Sequence, residues 1–229
     1  MEFENTLVSQ SSEIERAEFY KKTYLHVGLA ILAFAGLEYL LLFNIPEDYI
    51  IMMVSNRLSW LFILGLFWLG SILANKWTLS QSKNVQYLGL LFYIVLEAVI
   101  FLPLIYMVII YTNGLEVLKQ AAIMTGVLFA GLTVIAFFSK RDFSFLRNVI
   151  VIGGFLSLGL IVVAAIFGFN LGLWFSLGMV IIASASILYE TQKLKDVYTP
   201  NQYVGASLQL FASIMLLFWY ILRILSSRK

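Results

Sequence analysis

Seven apolar runs, each long enough or nearly long enough to cross a bilayer, leave this chain very few architectures. They occupy residues 24–43, 59–74, 88–111, 118–138, 148–167, 171–189 and 203–225. A hydrocarbon core about 30 Å thick takes about 20 apolar residues per helix. Backbone polar groups cannot stay unpaired in lipid, so spanning segments are helices or strands of a closed barrel. These runs are too long and too continuously apolar for barrel strands. The expected fold is an all-α membrane protein, a seven-transmembrane-helix bundle. The charge content agrees: 12% of the 229 residues are charged, against roughly 25% in soluble domains. The expected organisation is a polar segment 1–23, a transmembrane domain 24–225 and a short tail 226–229, with too little chain beyond the spans for a soluble catalytic domain. The run 59–74 is the shortest, and a re-entrant segment there would make the count effectively six.

The basic residues between the runs predict an orientation. Arg16, Lys21 and Lys22, then Lys76 and Lys83, then Lys140, Arg141 and Arg147, then Lys193 and Lys195 fall on one side, whereas the opposite connections hold only Arg57 and Lys119. The amino terminus is therefore expected in the cytoplasm, with the protein multi-pass in the inner (plasma) membrane. Arg223, Arg228 and Lys229 then fall on the outer side, against the charge rule. Residues 1–23 carry Glu2, Glu4, Glu13, Glu15 and Glu18 and have neither a secretory h-region nor the acid-poor character of a transit peptide, so insertion is expected to begin with the first run.

Missing chemistry excludes several function classes. There is no cysteine and a single histidine, so neither disulfides nor a soft-metal site is expected, although oxygen ligation of Ca²⁺ stays open. No Asp lies inside a run and the last run has no Lys, which removes an aspartate-pair protease and a retinal Schiff base. No Gly-x-Ser with a membrane His, phosphate loop or dinucleotide fingerprint occurs. The protein is expected not to be an enzyme and to need no cofactor. No basic tract with interleaved aromatics suggests nucleic acid, and no internal repeat suggests an inverted-repeat transporter.

What remains is a small set of polar groups in apolar surroundings. Glu190 closes the sixth run, and an ionisable group bordering a bilayer is a functional-site hypothesis. Gly172, Ser176, Met179, Ala183, Ser186 and Glu190 recur at three- and four-residue intervals, forming one helical stripe. Gln202, Ala206, Gln209 and Ser213 form a comparable stripe on the last run, and the two are expected to face each other. Small residues and hydroxyls of this kind also serve ordinary helix packing in lipid. Glu97, in YIVLEAVIFLPLIY six residues before Pro103, needs either a structural partner or a role in conduction or protonation. Glu38 is expected to snorkel to the outer interface, His26 to anchor at the cytoplasmic one, and Trp60, Trp77, Trp174 and Trp219 to form interfacial belts. Asn113-Gly114 and Gly168 to Asn170 mark tight turns between antiparallel neighbours.

Several segments resemble one family when taken in order. LTVIAFFSKRDFSFL (132–146) resembles the signature between the fourth and fifth spans of the Bax inhibitor-1 (transmembrane Bax inhibitor motif) family, and ILYETQKL (187–194) resembles its Ile-Leu-Tyr-Asp-Thr at the end of the sixth. LLFWYILRIL (216–225), FLPL (101–104) and KKTY (21–24) fit as well, so the resemblance covers nearly the whole chain. It implies a central last helix and an activity as a pH-sensitive Ca²⁺ leak, Ca²⁺ being the permeant ion. In bacterial members one aspartate from the sixth helix and one from the seventh share a proton and gate the pore. The first corresponds to Glu190. Aligning LQLFASIMLLF places Ser213 at the second, a departure from the pattern.

Two close carboxylates cannot easily both ionise, which makes such a pair titrate near physiological pH. With Ser213 as neighbour that repulsion is gone and a weaker or acid-shifted response is expected, while Lys193 is the nearest cation in sequence able to hold Glu190 ionised. Glu190 and Ser213 are thus the gate and pH-sensing candidates, and Glu97, Gln209 and Ser186 the pore or protonation candidates. Arg141 and Asp142 belong to the cytoplasmic loop motif, with Asp142 expected to cap the fifth helix. The rival function is a non-conducting regulator of a membrane protease or other integral partner. A continuous polar path beyond Glu190 would favour the leak, and a dry interior the regulator. The bilayer is an expected partner in either case, joined in the second by a membrane-protein partner; the sequence leaves the oligomeric state open.

Overall fold

The computed structural model describes residues 6–139 and 141–227. Glu2, Glu4, Lys140, Arg228 and Lys229 lie outside the described residues, as does the side chain of Lys195. The chain forms α1 (Glu13–Asn44), α2 (Glu47–Ser55), α3 (Arg57–Thr78), α4 (Lys83–Tyr111), α5 (Gly114–Phe138), α6 (Leu146–Phe167), α7 (Gly172–Asp196) and α8 (Tyr203–Ser226), with no strand among the described residues. Seven of these helices are long and apolar enough to cross a membrane.

Local chemistry explains where the boundaries depart from the apolar runs. α1 begins 11 residues before its run because Ser12 and Glu15 form a reciprocal capping box, the Ser12 hydroxyl accepting from the Glu15 N–H at 3.3 Å and the Glu15 carboxylate from the Ser12 N–H at 3.1 Å. α3 is 22 residues long, about 33 Å at 1.5 Å per residue, so the shortest run belongs to a helix long enough to span. Its first turn is capped by Asn56, whose side chain accepts from the Leu58 N–H at 2.9 Å. α2 has no counterpart among the runs. It is a nine-residue helix in the α1–α3 connection, started by Pro46 with Glu47 and Asp48 in its first turn, where negative charge suits the helix dipole.

α8 is central, packing against α1, α3, α4, α5 and α7, and α4 shares the middle with it, containing thirteen buried residues. Because α4 and α8 run the same way, their aromatic residues meet in register. Tyr93 meets Phe211 at 6.1 Å, and Phe101 meets Trp219 at 4.9 Å and, on α1, Phe34 at 5.1 Å, all edge-to-face. The end of α3 approaches α4 so closely that a Cβ at Gly89 would lie 2.8 Å from the Ala74 carbonyl oxygen. α6 ends on Gly168 in the left-handed conformation, φ 81°, which glycine adopts without the strain a Cβ imposes. One end of the bundle, which collects the starts of α1, α4, α6 and α8, carries most of the basic residues and is called the basic end below.

Candidate functional site

Glu190 lies buried in the last turns of α7, near the basic end, with both carboxylate oxygens accepting from the Lys193 ammonium at 3.0 and 2.9 Å. The three-residue spacing puts the two groups on the same helix face. Lys193 also stands 5.2 Å from the Tyr189 ring centroid and 5.8 Å from that of Tyr198. Burial raises the Tyr198 phenol above its usual range, and the nearby charge of Glu190 adds to the rise. A strap over this end was not foreseen from the sequence. Val8, in a 3-10 turn before α1, is 0% exposed among Phe19, Leu194 and Tyr198, and its N–H donates to the Tyr198 carbonyl at 2.9 Å.

The loop between α5 and α6 docks on the same turn of α7. Gln192 accepts from the Phe143 N–H at 2.6 Å and donates to the Arg141 carbonyl at 3.1 Å. Asp142 does not cap α6, a correction to the sequence-based expectation: the N-cap position is Phe145, with no side-chain bond. The carboxylate instead accepts from the Ser144 N–H at 2.8 Å and from the Ser144 hydroxyl, closing an Asx turn before the helix starts.

Ser213 and Glu190 are not hydrogen-bonded to each other. The Ser213 hydroxyl donates to the Gln209 carbonyl at 3.0 Å, leaving its oxygen to accept from Ser186 at 2.8 Å. Ser186 precedes Glu190 by one helical turn, so the α7 and α8 stripes meet at this serine pair. The Gln209 side chain turns to α3 and donates to Asn75 at 2.7 Å, while Gln202 accepts from the Thr199 N–H at 3.1 Å in the turn before α8. Asn75 was missed because it sits in an unremarkable polar end, and only the fold pairs it with Gln209.

A cavity of about 640 Å³ occupies the half of the bundle away from the basic end. Arg57, Asn170 and Arg223 line its mouth, and Ser186, Gln209 and Ser213 its floor. Glu97 contributes to the deep wall; it is buried and accepts a 2.7 Å hydrogen bond from the Tyr93 hydroxyl. Glu190 is not among the lining residues. Trp60 and Trp219 stack at 6.4 Å in the wall, so these two are cavity residues, whereas Trp174, 85% exposed, fits the expected belt. The Arg57 guanidinium packs against Gly168, and neither Arg57 nor Arg223 forms an ion pair among the described residues.

Glu38 corrects another expectation. It does not snorkel outward: it is 4% exposed, and neither carboxyl oxygen has a hydrogen-bond partner among the described residues. The inward stripe Phe19, Thr23, Val27, Ala30, Phe34 and Glu38 gives the reason, since intervals of three and four residues carry position 38 to the core face. His26 is half-buried, with Nδ1 2.7 Å from the Lys22 carbonyl and Nε2 3.2 Å from the Tyr87 hydroxyl, as an interfacial anchor would be. No group of three His, Asp or Glu side chains able to hold a metal ion occurs among the described residues.

Residues 16–229 match the family described as "Inhibitor of apoptosis-promoting Bax1". Among individual proteins, the chain is 35% identical over 123 residues to an uncharacterized protein of Pseudomonas aeruginosa, covering 53% of this chain and 55% of that protein. It is 33% identical over 118 residues to an uncharacterized membrane protein of Vibrio cholerae, covering 49% and 51%. The matched part is thus about half the length of each relative.

Proposed function

The chain belongs to the Bax inhibitor family, and from that premise we propose that it is a passive cation leak, with Ca²⁺ as permeant ion, held closed in the present conformation. The observation that carries this reading is the cavity, which brings a polar floor and the Glu97 carboxyl deep into the bundle and stops at the Ser186–Ser213 contact. Beyond that floor the Glu190–Lys193 pair forms a second barrier, since an ion passing the serines meets a carboxylate already neutralised by an ammonium. No reaction is proposed, and by the charge rule the basic end faces the cytoplasm.

Glu190 rather than a carboxylate pair would then set the pH response. Protonating Glu190 removes its attraction for Lys193 and frees the second barrier. Ca²⁺ flux into dye-loaded liposomes carrying the purified protein should be low at neutral pH and rise on acidification. In Glu190→Gln it should exceed the native flux at neutral pH and no longer change with pH. Flux no greater than that of empty liposomes, for both proteins at every pH, would overturn the proposal.

One observation favours a second reading, a non-conducting regulator of another integral membrane protein. Arg57 and Arg223 line the cavity mouth without an acidic partner among the described residues, and like charges repel an approaching cation. If the flux test fails, a search for a membrane partner follows from this observation.

A further inference from the structure

The outer part of the cavity has the chemistry of a ligand site: two guanidiniums at the rim, apolar walls, a polar end-stop. Its volume, about 640 Å³, lies within the roughly 300–1,000 Å³ of small-molecule sites. Below the arginines the shaft is walled by Leu64, Ile161, Ala165, Leu216 and the stacked rings of Trp60 and Trp219. Arg57, exposed at the start of α3, and Arg223, half-buried near the end of α8, have no ion-pair partner among the described residues, so the rim presents two guanidiniums suited to a carboxylate or phosphate.

We propose that this shaft binds a single-chain anionic amphiphile of the fatty-acid class, its head group between Arg57 and Arg223 and its tail against the tryptophan pair. The length of the shaft selects the tail. Ser213 lies ten residues below Arg223 on α8, and Glu97 sits between the levels of Phe211 and Trp219 through the Tyr93 and Phe101 contacts. The apolar stretch is therefore about 12–15 Å at 1.5 Å per residue. A zig-zag of roughly 1.5 Å bonds advances about 1.25 Å per carbon, which gives a tail of about ten to twelve carbons. A longer chain would press its methyl end on the serines and Glu97, exposing polar groups to an apolar partner. The site shares the cavity with the proposed leak but does not depend on it, since its test involves no ion gradient.

Trp60 and Trp219 supply the readout. Tryptophan fluorescence of the purified protein in detergent would be titrated with ω-bromoundecanoate, with its neutral counterpart ω-bromoundecanol, and with a brominated octadecanoate. The undecanoate should quench saturably, at least about tenfold tighter than either comparison compound, as charge-assisted bonds to two arginines imply. The saturable part should vanish in Trp60→Phe/Trp219→Phe, which leaves only probe partitioned near the other tryptophans. It should weaken about tenfold in Arg57→Gln/Arg223→Gln and persist in Arg57→Lys/Arg223→Lys, the second variant guarding against a folding defect in the first. Equal quenching by acid and alcohol, or no change in the glutamine variant, overturns the proposal. So does displacement by inorganic phosphate alone, which would make the site one for a free anion.

Discussion

The two halves of this bundle handle polar groups in opposite ways. Around Glu190 at the basic end polar groups are paired and covered: Glu190 with Lys193, Gln192 with the α5–α6 loop, and Val8 sealing Tyr198. In the other half, arginines stand without ion pairs at a cavity mouth, Glu38 is buried without a partner, and space reaches inward to the serine pair. Both halves are helix packed on helix. The difference lies in the side chains, and it implies that the basic end resists change while the opposite half tolerates or uses it.

The most severe test of that contrast is the ion pair. Removing one member of a buried pair leaves an uncompensated charge, a loss of about 3 kcal/mol. Lys193→Met should lower the apparent Tm in detergent more than Glu190→Gln, because Lys193 keeps 21% of its side-chain surface exposed and can turn toward water, whereas Glu190 keeps 11%. The double variant should recover part of the loss, and a coupling near zero in the cycle would mean that the pair is incidental.

Next comes the strap. Val8→Asp places a charge where no surface is exposed, so the 3-10 turn should detach, at about 2 kcal/mol of local stability. Proteolysis within residues 6–12 should accelerate by more than about tenfold. Ala165→Ser, on the cavity wall, introduces a polar group in the other half and should shift the Tm by the equivalent of no more than about 0.5 kcal/mol. Comparable losses from the two substitutions would break the contrast.

How much of this could be read from the chain follows the same division. The seven spans were legible because each is a local property, a run of apolar residues, and the turn at Gly168 was legible because the left-handed conformation calls for glycine. Lys193 as the partner of Glu190 was legible too, being three residues away on one helix. What escaped depends on distant pieces of chain meeting. Val8 reaches Tyr198, Gln209 finds Asn75, and Trp60 stacks on Trp219, and nothing local to any of those residues announces it. Glu38 is an intermediate case. Its inward spacing was present in the sequence, but a snorkelling argument based on depth alone overrode it.

A smaller effect concerns the deep wall of the cavity. Tyr93→Phe removes the hydroxyl that, among the described residues, donates to Glu97, leaving a buried acceptor unsatisfied, which costs about 1–2 kcal/mol. Glu97→Gln keeps an acceptor for that hydroxyl and should cost less, below about 1 kcal/mol. The two Tm values in that order would tie Glu97 to a structural bond, and the reverse order would point to a carboxyl whose ionisation matters for its own sake.

A similarly small change in stability should come from Ser213→Ala, and it bears most directly on where the leak is closed. Ser186 would lose its acceptor on α8, but a serine hydroxyl in a helix can turn back to a carbonyl of the preceding turn, as Ser184 does with Val180 at 2.8 Å. The loss should therefore be under about 1 kcal/mol. Function separates the alternatives that stability cannot. If the serine contact is the narrow point, removing one hydroxyl should raise Ca²⁺ flux at neutral pH while leaving its pH dependence intact, since Glu190 and Lys193 are untouched. If the ion pair alone closes the path, flux in Ser213→Ala should equal the native value. Ser213→Asp carries the argument one step further. It sets a carboxyl one turn from Glu190, and a new acidic step in the flux profile would mean that the two positions communicate through the floor of the cavity.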